Sequence, residues 1–149
     1  MEALYTDVYG QPVKKSEQNS HHVFARCTVK GKGGVFRHFI NQRGLVLPMV
    51  KTVHNELHAR LEFPPVPSLT LIHRMNSYIS GLDDQNPYER FISITGEFER
   101  IAEECPNTSH REQSKYIADN LERQAQFIML GQVQIIQQEQ PMADVVTVA

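Results

Sequence analysis

The spacing of apolar residues changes along the chain, from alternation before about residue 50 to helical stripes after it. "HVFARCTV" sets Val23, Ala25, Cys27 and Val29 against His22, Phe24, Arg26 and Thr28, and this period of two predicts a half-buried strand. "KGKGG" (30–34) reads as a turn, "VFRHFIN" and "GLVLPMV" as short extended segments, and "NQRG" as the break between them. Pro48 bars the second segment from a central strand position. In "VKTVHNELHARLE", Val50, Val53, Leu57 and Leu61 recur at helical spacing, which predicts a helix over 50–62. "FPPVPS" then forms a stiff connector, since prolines remove donors and disfavour helix in the residues before them.

Three further helices follow. Ser68 caps the first, through "LTLIHRMNSYIS", and Gly81 ends it. Asn86, with Pro87 at the first helical position, caps the second, which aligns Phe91, Ile94, Phe98 and Ile101 and stops at Cys105-Pro106. "SHRE" (109–112) reads as a capping box for the last, with Ile117, Leu121, Ala125 and Ile128 along one stripe and a Gln-rich end continuing it into a tail. The expected fold class is α+β: a flexible arm or weak strand over 1–19, a ββα unit over 20–62, a helical module over 63–131 packed on it or mediating association, and a tail over 132–149.

Composition narrows the class. A chain of 149 residues with 40% apolar content is one soluble domain's worth. No apolar run approaches a bilayer span, and "MEALYTDVYG" lacks the basic start of a signal peptide, so the expectation is a cytoplasmic protein with no membrane partner. Cys27 and Cys105 are too few for a disulfide framework and read as free thiols. The net charge of −2 is unevenly spread: residues 11–62 carry nine Lys and Arg against three Glu, and residues 63–149 carry six against twelve acidic residues. That split suggests a polyanion-facing part joined to an acidic helical part suited to pairing with a second copy or a protein partner.

The basic part also holds the histidines that carry chemistry. His54 and His58 lie four apart, on one face of the predicted helix, their Cβ atoms roughly 5–6 Å apart. Two such imidazoles either share a metal ion or stand on a wet face. If the "HH" strand packs antiparallel to "LVLPMV" and the helix folds back over the hairpin, His21 or His22 meets the helical pair, while its neighbour points to the other face. Three neutral imidazoles bind a borderline divalent cation and leave a coordination position open. A fourth, with a pKa near ~6.5, can take a proton from water at neutral pH. His38, His73 and His110 read as surface or partly buried residues.

"HHVF…GLVLPMVKTVHNELH" resembles the ββα-metal motif of the HNH nucleases, which include the colicin DNase domains, many homing endonucleases and small phage nucleases. The likeness covers residues 20 to about 60. It implies a metal-dependent DNA endonuclease or nickase, with His21, His54 and His58 as ligands of one divalent ion (zinc, nickel, manganese or magnesium) and His22 as general base. Lys30, Lys32, Arg43, Lys51 and Arg60 are candidate phosphate contacts. The sequence departs from the family in one place that matters. The Asn that orients the base stands directly before the "LVL" strand in the family; here that position is Gly44, and Asn41 is the candidate to replace it. The paired zinc-knuckle cysteines of many relatives are also missing. Two other readings compete: an inactive DNA- or protein-binding scaffold with structural zinc closed by Cys27, and a metal-free helical adaptor.

Overall fold

A computed structural model of the protein describes residues 4–7, 10–83 and 85–139, the side chains of 4–6 and 132–139 excepted. It is α+β. β1 (Leu4–Thr6) and β2 (Pro12–Lys14) form a small antiparallel pair, so part of the expected arm is a strand. β3 (Gln18–His22) and β4 (Val46–Val50) form a second antiparallel pair, with His21 opposite Leu47 and His22 opposite Val46. Between them lie a 3-10 turn (Arg26–Val29) and helix α1 (Gly34–Ile40). α2 (Lys51–Arg60) follows β4 directly, and α3 (Leu69–Ser80), α4 (Pro87–Glu104) and α5 (Thr108–Glu139) complete the chain. Among the described residues no helix is long and apolar enough to cross a membrane.

Three local expectations need correction. The strand before the first turn is "QNSHH", not "HVFARCTV". Alternation fails there because Val23 and Phe24 are both fully buried, while Cys27 is exposed on the 3-10 turn. Thr28 ties that turn back, its hydroxyl donating to the Ala25 carbonyl at 2.6 Å. "VFRHFIN" is helix rather than strand. Its β-formers suggested an extended segment, but Phe36, Phe39 and Ile40 face inward at helical spacing, with the Phe39 ring 5.4 Å from that of Phe24. The last helix begins earlier than its capping box: Asn107 Oδ1 accepts from the His110 N–H at 3.1 Å, and Ser109 lies inside the helix.

The remaining helices form where their apolar stripes put them. α2 buries Val53 and Leu57. α4 is capped by Asn86, whose side chain accepts from the Glu89 N–H at 2.8 Å, and buries Phe91, Ile94, Phe98 and Ile101. These meet Ile117, Leu121 and Ile128 of α5 in one core that runs continuously from Val23 to Ile128. Each fully buried Phe or Ile there contributes about 1.5–3 kcal/mol. β3, β4 and α2 are therefore seated on the long helices rather than standing apart. Pro48 is accommodated because, among the described residues, the β3–β4 sheet is only two-stranded.

Candidate metal centre

β3 and α2 bring three imidazoles together. His21 projects inward from β3 and is fully buried; His54 and His58 stand one turn apart on the face of α2 that looks at it. The ring centroids of His21 lie 5.3 Å from His54 and 5.4 Å from His58, and the helical pair is 4.4 Å apart. One ring nitrogen from each falls within 4.8 Å of the other two. Two nitrogens on a tetrahedral ion bonded at about 2.0–2.1 Å stand roughly 3.3 Å apart. His54 is half-buried and His58 exposed, so neither ring is locked by close packing on all sides. Phe63, in the proline-rich connector after α2, walls the group, its ring 5.2 Å from His21 and 4.7 Å from His58.

The protonation of His21 is fixed by a residue 103 positions away. Gln124, fully buried on α5, donates its amide N–H to the Val23 carbonyl at 3.0 Å, so its Oε1 is the atom that meets His21 Nε2 at 2.8 Å. Nε2 therefore carries the proton, and Nδ1 is left with a lone pair. That Nδ1 is buried and, among the described residues, has no hydrogen-bond partner. An unpartnered acceptor costs stability in an interior, and here it belongs to the residue that faces two further imidazoles. Donor chemistry and orphaned atom both fit a divalent cation. The charges fit as well. Burial, with the neighbouring His54, His58 and His22, pushes the His21 pKa down to about 3, against the Gln124 bond that raises it. Burial first, then His58 and His22, lowers that of His54. Neutral imidazole is the form that binds metal.

His54 has a hydrogen-bonded neighbour of its own, Asn19 on β3, with Nδ2 3.1 Å from His54 Nδ1. Turning that amide over would set Oδ1 against an Nδ1–H and leave Nε2 free as a ligand, the usual pattern for metal-bound histidine.

His22, next along β3, turns from His21 toward Asn41 on α1, yet stays close enough to His54 for its charge to lower the His54 pKa. Its Nε2 lies 2.8 Å from Asn41 Oδ1, and Asn41 Nδ2 donates to the Arg37 carbonyl at 2.8 Å. The second bond orients the amide so that its oxygen faces the ring. Nε2–H donates, and Nδ1 is the basic nitrogen. Asn41, the C-cap of α1, thus holds the His22 ring by its side-chain oxygen. Gly44 has a physical reason to stay glycine: its φ is +92°, and a Cβ there would sit 2.9 Å from Arg90 Cγ.

The other candidates fall elsewhere. Cys27 is not brought to the three histidines; it is exposed beside a cavity that His22 also lines. Lys30 lines that cavity, whereas Lys32 lies over the Phe36 ring, 5.5 Å from its centroid. Arg43 is exposed in the turn before β4, and Lys51 is exposed at the start of α2. Arg60 is exposed and paired with Glu56 at 3.0 Å. His38 and His73 are exposed, and His110 bonds Thr70 Oγ1 at 3.1 Å. Both cysteines are free. Sequence reasoning missed Gln124, Asn19 and Phe63, and counted Arg26 and Arg37 only among the nine basic residues of 11–62. Of the first three, only Gln124 left a trace, as a polar residue on the apolar stripe of α5 beside Leu121 and Ile128.

Comparison with protein-family models, curated proteins and solved structures finds no match to this chain.

Proposed function

We propose that the protein is a metal-dependent phosphodiesterase that cuts or nicks DNA. The observation that carries the reading is the pairing of two histidine environments on adjacent residues of one strand. His21 turns an orphaned nitrogen toward His54 and His58, while His22 is held by Asn41 with a free basic nitrogen. The β3–β4 hairpin with α2 against it is similar in arrangement to the ββα-metal finger of HNH nucleases, with Asn41 in the role of the family's orienting Asn.

In this mechanism His22 Nδ1 accepts a proton from water as the water oxygen attacks phosphorus, and the bond from phosphorus to the departing sugar oxygen breaks. Asn41 keeps the ring from turning its N–H to the water. Gln124 and Phe63 hold His21 in place and dry. A divalent cation bound to His21, His54 and His58 would supply the positive charge that stabilises the crowded phosphate and the leaving oxygen. Three protein ligands leave a coordination position for substrate; the structural-zinc alternative needs a fourth, and Cys27 stands on the cavity side with His22.

Plasmid relaxation by His22→Ala, with metal content measured on the same sample, tests the proposal. The expected result is loss of relaxation with the metal retained. Wild-type relaxation by His22→Ala would refute the assignment of the base.

A further inference from the structure

Beyond His22 the surface opens into a cavity of about 790 Å³, formed by the 3-10 turn and α1. Three cations reach it: Arg26 and Lys30 from the turn and its end, and Arg37 from α1. Among the described residues no Asp or Glu lines it, and none of the three cations has a carboxylate partner. Its floor is apolar, made by Val29 and Ile40. Arg37 and Asn41 are one helical turn apart, so the residue that orients His22 and a cavity cation share one face of α1.

Unpaired cations around an apolar floor describe a ligand with an anionic group and a flat or apolar body. The volume lies within the roughly 300–1,000 Å³ of pockets that enclose a small organic ligand, and is generous for a lone inorganic anion. His22 stands on the cavity wall, one residue from the three-histidine group, so a ligand seated here and continuing past His22 is a chain rather than a free molecule. We propose that this cavity binds one nucleotide unit of the strand being cut, with its phosphate on Arg26, Lys30 and Arg37 and its sugar or base over Val29 and Ile40. The inference rests on the phosphodiesterase reading and supplies its substrate-positioning subsite. Guanidinium groups suit it, because each offers two parallel N–H donors to phosphate oxygens.

The test is binding of a short fluorescein-labelled single-stranded oligonucleotide, followed by anisotropy over a salt series with chelator present, so that no cutting occurs. Arg26→Ser/Arg37→Ser is compared with wild type and with Lys115→Ser/Arg123→Ser, which removes the same charge from α5. All three should melt alike, since the four side chains are exposed. The cavity variant is expected to bind about tenfold or more weakly, with a slope of log affinity against log salt shallower by roughly 1.4, at about 0.7 per lost phosphate contact. The α5 variant should stay within about twofold of wild type. Equal weakening of both variants, or no change in the cavity variant, would overturn the inference. So would competition by a free nucleoside monophosphate as strong as by the oligonucleotide, which would mark a mononucleotide site. Plasmid relaxation with metal is scored separately. If wild type relaxes plasmid and the cavity variant binds normally, the subsite is wrong and the reaction stands. If wild type relaxes nothing while the cavity variant loses the strand, the reaction is wrong and the binding site stands.

Discussion

Replacing Gln124 with Leu tests how the long C-terminal helix controls the histidine group. The change keeps the volume roughly constant and removes two buried hydrogen bonds at once, one to His21 Nε2 and one to the Val23 carbonyl. Leaving a buried polar group unpaired costs about 1–3 kcal/mol, so two of them cost about 2–6 kcal/mol. Better burial of the leucine side chain offsets part of this, for a net loss of about 2–4 kcal/mol. For a chain of this length, each kcal/mol shifts the melting temperature by about 2–4 °C, so the variant should melt roughly 5–15 °C lower. The effect on metal is separate. Without Gln124 the His21 ring is free to place its proton on Nδ1, and metal affinity should fall about 10–100-fold, as it does when an outer-shell partner of a ligand is lost. Thermal unfolding of the metal-free protein and a competition titration against a chromophoric chelator read the two effects. Gln124→Glu provides the control, because at pH above neutrality it keeps an acceptor for Nε2–H while losing the donor to Val23; it should bind metal more tightly than the Leu variant. A Leu variant that melts within about 1 kcal/mol of wild type and binds metal equally well would refute the role of Gln124.

Two other predictions follow from the same geometry. The folded His21 has a pKa of about 3 against 6.5 unfolded, so the unfolded chain binds the extra proton between those values; stability is fully present above pH 6.5 and falls as pH drops toward 3. At about 1.4 kcal/mol per unit, the metal-free protein should lose about 2 kcal/mol between pH 7 and pH 5, with the lowered His54 acting in the same direction, and a flat urea midpoint over that interval would contradict a buried neutral imidazole. Gly44→Asn places an Asn where the HNH nucleases that the motif resembles carry theirs, yet with φ at +92° and Arg90 against the new Cβ it should destabilise by about 1–3 kcal/mol and leave any plasmid relaxation no faster; faster relaxation would show that Asn41 does not orient His22.

The histidine constellation was legible because both of its spacings are local rules. Adjacent residues of a strand face opposite ways, and residues four apart on a helix share a face, so "HH" and "VHNELH" announced their division before any fold was known. α3, α4 and the stripe of α5 were legible for the same reason. The extent of the strand that carries His21 was not, although its antiparallel pairing with "LVLPMV" was expected. "QNSHH" has no apolar residue to betray it, and it forms because its backbone pairs with β4. α1 was hidden by Val35, Phe36, Phe39 and Ile40, residues common in strands, and its inward face is fixed by a distant contact, that of Phe39 with Phe24. The contacts of His21 with Gln124 and of His22 with Asn41 depend on how distant segments dock, and a single sequence holds no local rule for that.

Metal content of the purified protein, measured by elemental analysis beside His54→Ala/His58→Ala, tests the account most directly. One equivalent of a divalent transition metal in wild type, lost in the double variant, is the expected result. An absence of metal in wild type after incubation with zinc, nickel and manganese, or metal retained without the two helical histidines, would contradict it.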